Sequence, residues 1–573
     1  MKKPSPPPYP IYAISDLRDL LLKIAIRYPD RVALQSKKNG AYSPLYYREI
    51  SGIVAQLAGA FSECGLRKGD RVALLSHNST EWVLSYLATV TSGLVAVPID
   101  KDLTAQEICH VLRFSKSSVV ICSEEYIEPL REKRRDIPSV SRIVSMGEER
   151  TGADLSFLEF RGIGSDLLHT GQDPFQYSAI TGKDLAALIF TSGTTGNSKG
   201  VMLNHKNLVA NIMATSQYVS IGNGVLLSVL PLHHTYECMA GFLVALYQGC
   251  TIFHAESLRR IPENLRETQP TAMIGVPLLF ESLYKKIESG IKKKGSMKFR
   301  MAKIIATFSE YFFRQNLRRV LFKPIHDQLG GRLELVISGG AAGNPQTAQA
   351  FRELGINFLQ GYGLTEASPI VAVNRVDYLK DNSVGLPLQG LDIKIVKNEI
   401  LVRGPSVMTG YYLNKEATEE SLVDGWLHTG DLGYIDEDGF LYISGRKKSV
   451  IVTSNGKNVY PEEVEAVLNQ SPYILESLVW GGPEKDPARV TVQAIVVPCI
   501  ETFDDTWGLG QHDKNKIREV IGIEIKKRSK ELARYKHVKS FVIRSEEFDK
   551  TTTRKIKRYL YTGVSKSDTH QTK

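Results

Sequence analysis

The stretch LAALIFTSGTTGNSKGVMLNHKNLVANI, residues 185–212, decides how the rest of the sequence is interpreted. Its apolar run Ala186–Phe190 predicts a buried strand, and Thr191–Gly200 then contains five hydroxyl groups, three glycines and one lysine. Glycines leave backbone N–H groups accessible, and the hydroxyls and Lys199 add further donors. We therefore predict a loop that encloses an anion with several oxygens, followed by a helix capped by Asn204.

The loop differs from a Walker A phosphate loop, which needs glycine, four residues and then Gly-Lys-Ser/Thr at the start of a helix. Here Gly193 and Gly196 lie closer together, and Lys199 and Gly200 lead into another apolar run. A flexible surface loop rich in serine, threonine and glycine is the alternative. The combination of strand, loop and lysine favours a phosphate-binding loop.

This run resembles the phosphate loop of the adenylate-forming superfamily, which includes acyl-CoA synthetases, luciferases and the adenylation domains of peptide synthetases. Members of that family activate carboxylates with ATP. The resemblance implies a catalytic role for Lys199. It also implies contacts to ATP or AMP from six residues of the loop, Thr191, Ser192, Gly193, Thr194, Thr195 and Gly196.

Composition limits the class of protein. The chain has 573 residues, 42% of them hydrophobic, so we expect roughly two to four domains. Its six cysteines show no CxxC spacing and predict reduced structural thiols. The opening residues MKKPSPPPYP have proline where a signal peptide has its apolar core, and no uncharged run approaches the roughly 18 residues of a membrane span. These features predict a cytoplasmic protein that is not integral to a membrane.

The net charge of +10 is concentrated in Lys285–Lys323, which has twelve lysines and arginines and two acids. No nucleic-acid motif accompanies it, so we expect a phosphate-rich surface or an acidic ligand as partner and no nucleic acid. Met301, Ile305, Phe308 and Phe312 have the spacing of one helical face, which predicts peripheral contact with the inner face of a membrane. An amphipathic helix packed on the core is the alternative.

A short apolar strand, Leu226–Pro231, precedes a pair of histidines, His233 and His234, with Glu237 nearby. The pair raises the hypothesis of a metal site. Adjacent histidines on an extended segment point to opposite faces, however, and no third ligand follows, so we do not predict a metal there. The resemblance implies instead that His234 lies at the mouth of the site for the carboxylate substrate.

Two further predicted strands end in glycine-rich loops. Leu335–Ile337 is followed by SGGAA, and Asn357–Leu359 by QGYGLTE. In open α/β sheets, ligands bind at the carboxyl ends of strands. Two ordinary strand-end turns, with the tyrosine in the core and the glutamate in solvent, are the alternative. The resemblance assigns the nucleotide contacts to Gly340, Ala341, Tyr362 and Gly363. It assigns two catalytic roles, phosphate binding to Thr365 and Mg²⁺ binding to Glu366.

The segment GWLHTGDLG, residues 425–433, holds one carboxylate between glycines. An aspartate in such a position is usually a turn residue, but WLHTGDLG is close to the family's pattern. The resemblance implies that Asp431 binds the ribose and that Arg446 makes the second ribose contact. It also implies that Lys448 is a hinge between two domains.

Near the end of the chain, FDKTTTRKIKR at residues 548–558 is a basic run of the kind that is usually a solvated tail. The family carries its catalytic lysine in such a run, and Lys555 occupies that position. The preceding residue is commonly glycine in the family but is Arg554 here, a departure that concerns the local turn more than the lysine. The resemblance also implies that the loop near Gly456 meets the pantetheine of coenzyme A. From Gly563 the polar sequence predicts a disordered tail.

Helical and strand patterns alternate from Tyr46 onward, which predicts mostly parallel sheets covered by helices. With the resemblance, this gives an α/β fold. We expect a large N-terminal domain of such sheets with a β-barrel-like subdomain, and a small mobile α+β domain. The domain for ATP and the acyl group is placed at residues 1–445, and the small domain with Lys555 at residues 446–573.

The resemblance extends over about residues 30–560 and implies two reactions. A carboxylate attacks the α-phosphate of ATP, giving acyl-AMP and pyrophosphate while Mg²⁺ and two lysines offset charge, and the thiol of coenzyme A then displaces AMP. The segment 322–342 is similar to bacterial long-chain acyl-CoA synthetases, which favours a long-chain fatty acid. Ligation to acyl carrier protein, an aryl acid substrate, a nucleotide-binding regulator and a membrane-surface scaffold are the alternatives.

Overall fold

The computed structural model describes residues 6–38, 40–172, 179–191, 199–294, 296–313, 317–341, 343–453, 457–483, 490–508, 513–551 and 555–562. The chain divides into two units. The larger unit consists of Met1–Ile393, Val402–His428 and Asp438–Phe440. The smaller unit consists of Lys394–Leu401, Thr429–Glu437 and Leu441–Lys573.

Several helices of the larger unit begin at polar cap residues. Thr104 accepts the N–H of Glu107 and Ser156 accepts that of Glu159, while each glutamate accepts the N–H of its cap. The helices are α1 (Leu17–Arg27), α2 (Tyr47–Glu63), α3 (Thr80–Thr91), α4 (Ala105–Ser115), α5 (Ile127–Glu132), α6 (Phe157–His169), α7 (His205–Tyr218), α8 (Val244–Tyr247, after a π-helical segment Glu237–Leu243), α9 (Ile261–Thr268), α10 (Pro277–Lys294), α11 (Ser296–Phe313), α12 (Arg318–Leu321), α13 (Lys323–Gln328), α14 (Pro345–Glu353) and α15 (Lys415–Ser421).

The strands that flank the predicted phosphate loop belong to a seven-stranded sheet. In sheet order its strands are β18 (Gly410–Tyr411), β8 (Lys199–Asn204), β7 (Leu185–Thr191), β4 (Val95–Pro98), β3 (Arg71–Leu75), β5 (Ser117–Cys122) and β6 (Arg142–Ser145). From β7 to β6 the strands run parallel, and β8 and β18 extend the sheet in antiparallel fashion. The predicted strand Ala186–Phe190 is thereby confirmed as part of β7.

A nine-stranded sheet carries the two later glycine-rich loops. In sheet order its strands are β15 (Leu386–Pro387), β14 (Ile370–Val373), β13 (Asn357–Gly363), β12 (Leu335–Ser338), β11 (Ala272–Gly275), β9 (Val225–Ser228), β10 (Thr251–His254), β1 (Val32–Lys38) and β2 (Ala41–Tyr46). The strands from β13 to β1 are parallel, with antiparallel strands at both edges. The predicted strands at residues 335–337 and 357–359 are both confirmed, and they are direct neighbours.

A third sheet lies within residues 392–446. Its strands are β16 (Asp392–Val396), β17 (Glu399–Arg403), β20 (Trp426–Ile435) and β19 (Leu422–Val423), in that order, with β21 (Leu441–Arg446) paired to β20. Closure into a barrel requires the two edge strands to pair with each other. Within the described residues β16 and β19 stay at opposite edges, so the expected β-barrel-like subdomain is an open sheet.

The C-terminal part of the smaller unit is an α+β module, as the sequence predicts. Its strands and helices are β22 (Ile451–Val452), β23 (Asn458–Val459), β24 (Ile474–Pro483), β25 (Val490–Pro498), β26 (Ser540–Ile543), α16 (Pro461–Leu468), α17 (Ile500–Trp507) and α18 (Lys514–Ser529). Pro461 begins α16 with two glutamates in its first turn, where they complement the helix dipole. The core contains Val464, Leu468, Val479 and Phe503.

Each large sheet of the larger unit has its own apolar core. Val97, Leu112 and Ile127 belong to the core of the seven-stranded sheet, and Phe280 and Phe351 belong to that of the nine-stranded sheet. Among the described residues, we find no helix that combines the length and the apolar character needed to span a bilayer.

Candidate active site

The ends of the predicted phosphate loop are fixed by strand pairing. Thr191 in β7 lies opposite Lys199 in β8, and the Thr191 hydroxyl donates to the Lys199 carbonyl at 3.5 Å. After β8, Asn204 caps α7 as predicted, because its side chain accepts the Asn207 N–H at 2.8 Å. Several predicted positions lie outside the described residues, namely Ser192, Gly193, Thr194, Thr195, Gly196, Gly456 and Arg554.

Lys199 and Glu366 are connected through Tyr411. The Lys199 Nζ lies 4.8 Å from the centre of the Tyr411 ring, and the Tyr411 hydroxyl donates to Glu366 Oε1 at 2.9 Å. Burial, followed by the neighbouring Glu366 carboxylate, raises the pKa of Tyr411, so the phenol keeps its proton and remains a donor. A cation, a phenol and a carboxylate are thus in contact beside the strands that flank the loop.

Glu366 lies in a short 3₁₀ turn, Thr365–Ala367, that follows β13. The turn is held by the Met408 N–H, which donates to the Glu366 carbonyl at 2.8 Å. The Thr365 hydroxyl lies 3.0 Å from the hydroxyl of Thr235. A carboxylate and a hydroxyl supply the oxygen ligands that a hard cation such as Mg²⁺ prefers, so the residues present fit that ion.

The predicted adenine contacts follow the neighbouring strands β12 and β13. Gly340 has a φ of +83°, a left-handed conformation that favours glycine. At Gly363, an added Cβ would come within 2.1 Å of the Pro369 carbonyl oxygen, so no side chain fits. Ala341 is exposed and Tyr362 is half-buried, which differs from the alternative of a core tyrosine. The two strand ends therefore present backbone and one aromatic side chain together.

The two predicted ribose contacts form an ion pair in the smaller unit. Asp431 in β20 lies opposite Arg446 in β21, and Arg446 Nε is 2.9 Å from Asp431 Oδ1. The Asp431 N–H donates to the Thr429 hydroxyl at 3.0 Å, and that hydroxyl donates to the Ile400 carbonyl at 2.7 Å. The Asp431 side chain is buried while Arg446 is half-exposed. Lys448 follows in a short exposed 3₁₀ turn.

Lys555 is exposed, and its backbone is paired with Thr551 in the smaller unit. The Thr551 N–H donates to the Lys555 carbonyl at 2.8 Å, and the Lys555 N–H donates to the Thr551 hydroxyl at 3.2 Å. On one side of the turn Phe548 is buried, and on the other Arg558 donates to Glu465 of α16. The described ends of the basic run are therefore held to the module, unlike those of a solvated tail.

The two histidines after β9 lie side by side. The His234 N–H donates to the Pro231 carbonyl at 3.1 Å, so the chain turns here, and the two imidazole ring centres are 4.7 Å apart. The expectation of opposite faces, which assumed an extended segment, is wrong. Asp100 Oδ1 lies 3.3 Å from His233 Nε2. One ligand atom from each of Asp100, His233 and His234 lies within 4.8 Å of the others, a set that sequence spacing missed because Asp100 lies far earlier in the chain.

A buried polar network supports this turn. The Ser228 hydroxyl donates to Glu237 Oε1 at 2.6 Å, and the Asn78 amide donates to Ser228 Oγ and to the Leu230 carbonyl. Asn78 also accepts the Leu232 N–H at 2.9 Å. Burial raises the pKa of Glu237 to about 8. Burial therefore favours the protonated form of this glutamate.

A small cavity borders Thr235 and is mostly apolar. It is lined by residues of β7, β8, α7 and the π-helical segment, among them Ile189, Leu203, Leu208, Met239 and Leu243. Thr235 also contacts Thr365, so one threonine borders the cavity and contacts the residue predicted to bind phosphate.

Comparison with known protein families identifies the chain. The model of the family described as AMP-binding enzyme matches residues 22–412, more than half of the sequence. The chain belongs to the AMP-binding enzyme family. The match includes Lys199, Glu366 and Tyr411, and it supports the resemblance drawn from the motifs.

Two relatives of this AMP-binding enzyme have the names of fatty-acid ligases. A long-chain-fatty-acid–CoA ligase of Mycobacterium bovis is 31% identical over 494 residues, which cover 83% of this chain and 81% of that protein. A chloroplastic long-chain-fatty-acid–[acyl-carrier-protein] ligase of Arabidopsis thaliana is 27% identical over 558 residues, covering 84% of this chain and 76% of that protein. Both relatives extend over most of the AMP-binding enzyme.

Among solved structures, an anthranilate CoA ligase in complex with anthranoyl-AMP superposes with a TM-score of 0.76. It is 22% identical, with 96% of this chain and 97% of that chain covered. At this identity the similarity establishes the fold of the AMP-binding enzyme and carries no argument about its acid substrate.

Sequence reasoning missed three residues of this site in the AMP-binding enzyme. Tyr411 gave a weak signal, because a tyrosine after a glycine at a strand end is common. Thr235 lies directly after the histidine pair but has no motif of its own. Asp100 follows the end of β4, and only the fold brings it to the histidines.

Proposed function

We propose that this AMP-binding enzyme is an AMP-forming ligase that joins a long-chain fatty acid to coenzyme A. The observation that carries the proposal is the contact sequence from Lys199 through Tyr411 to Glu366. It combines a cation for a phosphate, a carboxylate for a hard cation and a phenol that holds both in position.

In the first reaction, a carboxylate oxygen of the fatty acid attacks the α-phosphorus of ATP. The bond from that phosphorus to the bridging oxygen of pyrophosphate breaks, and acyl-AMP forms. Lys199 and Thr365 are proposed to bind the phosphate oxygens on which charge develops. Glu366 and Thr365 would hold Mg²⁺, which when bound neutralises phosphate charge.

We propose nucleotide contacts for each of the two units, assigned from the motif resemblance. Gly340, Ala341, Tyr362 and Gly363 are the candidate adenine contacts. The Asp431 carboxylate can accept hydrogen bonds from the two neighbouring hydroxyls of a ribose. Arg446 orients this carboxylate through their ion pair.

In the second reaction, the thiol of coenzyme A attacks the acyl carbon and AMP leaves with the bridging oxygen. We propose that Lys555 acts in the first reaction only. We propose that Gly456 contacts the pantetheine of coenzyme A. Lys448 is proposed as the hinge between the domains at residues 1–445 and 446–573. These assignments rest on the motif resemblance and, for Lys555, on its backbone pairing with Thr551.

The acyl group is the less constrained part of the proposal. The cavity beside Thr235 has a volume of only about 10 Å³, so it carries no argument about the acyl chain. We propose His234 for the mouth of the acyl site on the motif resemblance. The fatty-acid–CoA ligase relative favours coenzyme A as acceptor, and the acyl-carrier-protein ligase keeps carrier protein as the second candidate. Because long-chain acids partition into bilayers, we also propose peripheral membrane contact through residues 285–323.

Pyrophosphate release across a panel of acids tests the proposal. We expect release with long-chain fatty acids and little with short-chain or aryl acids, followed by thioester formation with coenzyme A but not with acyl carrier protein. Glu366→Gln should abolish most release at limiting Mg²⁺, because the lost charge weakens the hold on the ion. Glu416→Gln, an exposed glutamate on α15, is the matched control.

Equal release with every acid, or with none, would contradict the ligase assignment. Thioester formation with carrier protein alone would replace coenzyme A by the second candidate. Wild-type release from Glu366→Gln at limiting Mg²⁺ would refute the metal role of that carboxylate.

A further inference from the structure

Helices α10 and α11 bury their side chains in opposite ways. On α10, the large apolar residues Phe280, Leu283 and Ile287 are buried in the core of the nine-stranded sheet, while Lys285 and Lys286 are exposed. This is the ordinary arrangement of a surface helix, in which the apolar stripe faces the core. The helix that follows it does not share this arrangement.

On α11, small residues face the core. Ala306 and Ser309 are buried, and Ala302 is half-buried in the same line. Phe299, near the start of the helix, packs against Phe322 with ring centres 5.1 Å apart. A narrow strip of mostly small side chains therefore attaches α11 to the unit.

The large apolar residues of α11 point away from the core. Each is between 48% and 69% exposed, and they are Met297, Met301, Ile304, Ile305, Phe308 and Phe312. Their spacing of three and four residues places them on one side of the helix. We call this set the apolar face of α11. A contiguous exposed apolar patch marks an interaction site, because its burial by a partner lowers the free energy of the system.

The charges beside the apolar face are basic. Residues 285–323 carry twelve lysines and arginines and two acids. One of the two acids, Glu310, is paired with Arg318 at 2.7 Å. Among the other described cations of this segment, Lys303, Arg319 and Lys323 are paired with acids. Arg300 on α11 and Lys285 and Lys286 on α10 are exposed. The partner that fits combines an apolar interior with a negative surface.

We propose that the apolar face of α11 inserts into the interface of an anionic phospholipid bilayer. Large apolar residues on one side and lysines and arginines around them are the composition of a helix that lies in a membrane surface. A second copy of the chain would bring an identical basic segment against this one, so like charges would repel. An acidic carrier protein would match the cations but would leave most of six large apolar side chains uncovered.

This inference deepens the proposed function, since docking would let the enzyme take long-chain acids directly from the bilayer. Docking itself requires no catalysis. Vesicle binding and pyrophosphate release therefore test the two proposals separately. A wild-type protein that releases pyrophosphate but binds no vesicles would overturn docking alone, and a wild-type protein that binds vesicles but releases no pyrophosphate would overturn the proposed ligase alone.

The test is co-sedimentation of the full chain with vesicles. The variant carries Ile304→Gln, Phe308→Gln and Phe312→Gln, which change only exposed side chains. The control carries Ile26→Gln, Leu158→Gln and Leu258→Gln, three exposed apolar residues outside the segment. We expect wild type and control to bind equimolar phosphatidylcholine–phosphatidylglycerol vesicles and to bind phosphatidylcholine alone more weakly. The α11 variant should bind anionic vesicles at least about tenfold more weakly than the wild type. Added salt should weaken vesicle binding by the wild type.

Circular dichroism and thermal unfolding establish that all three proteins are folded. The proposal is overturned if the folded α11 variant binds anionic vesicles as wild type does, or if wild type binds no vesicles. If neither protein binds vesicles, and the wild type forms dimers that the α11 variant does not form, the apolar face of α11 is instead assigned to contact with a second copy. Capture of purified acyl carrier protein by wild type alone, again without vesicle binding, would assign it to that partner.

Discussion

Tyr411→Phe separates the two contacts through which Tyr411 connects Lys199 to Glu366. The substitution removes the hydroxyl that donates to Glu366 Oε1 at 2.9 Å but keeps the ring 4.8 Å beneath the Lys199 ammonium. A hydrogen bond to a charged group contributes about 1.5–3 kcal/mol, and Glu366 is half-buried, so we take about 1.5 kcal/mol. If the carboxylate holds Mg²⁺, an orienting neighbour of this kind changes metal affinity by about tenfold.

The assay is pyrophosphate release as a function of Mg²⁺ concentration at saturating ATP and fatty acid. We expect Tyr411→Phe to need about tenfold more Mg²⁺ for half-maximal rate, with little change once Mg²⁺ is saturating. Tyr411→Leu, which also removes the aromatic ring under Lys199, should in addition lower the saturated rate. Tyr412→Phe, at the adjacent position, is the control. An unchanged Mg²⁺ requirement in folded Tyr411→Phe would refute the reasoning.

Lys555→Ala should slow pyrophosphate release by about a hundredfold, because a cation that offsets transition-state charge contributes about 3 kcal/mol, and should spare thioester formation from supplied acyl-AMP. Equal damage to both half-reactions would show that this lysine has another role. Asp431→Asn should raise the KM for ATP by about tenfold and leave kcat within about twofold, since the lost carboxylate charge acts in binding; a selective fall in kcat would contradict the ribose assignment. Glu237 has its folded-state pKa raised from 4.5 to about 8, so its contribution to stability is present below about pH 4.5 and is lost as the pH rises towards 8. Glu237→Gln should remove that loss, and its melting temperature relative to wild type should rise between those pH values; a constant difference would place the proton elsewhere.

The sequence was sufficient to predict the strands that flank the loop and the neighbouring strand ends. Continuous apolar runs such as Ala186–Phe190 mark buried parallel strands, and glycines after them mark turns at the ligand edge of a sheet. The cap at Asn204 was equally local. These features depend on residues within a few positions of one another, and they were confirmed.

Long-range features were beyond the sequence. Nothing in the sequence spacing predicts that Asp100 lies close to His233. The prediction that the two histidines point to opposite faces assumed an extended segment, whereas the chain turns after Pro231. The open sheet at residues 392–446 depends on which edges pair, which alternation alone leaves undetermined. On α11, periodicity predicted one apolar face, but only the fold decided that this face lies outwards.

The fate of the carboxylate oxygen tests the central claim most directly. The enzyme is given a long-chain fatty acid labelled with heavy oxygen in its carboxylate, together with ATP, Mg²⁺ and coenzyme A, and the nucleotide products are analysed by mass spectrometry. Attack of the carboxylate on the α-phosphorus followed by thiol displacement must leave one labelled oxygen in AMP. We expect labelled AMP in an amount equal to the acyl-CoA formed. Unlabelled AMP, or ADP in its place, would contradict an acyl-adenylate route.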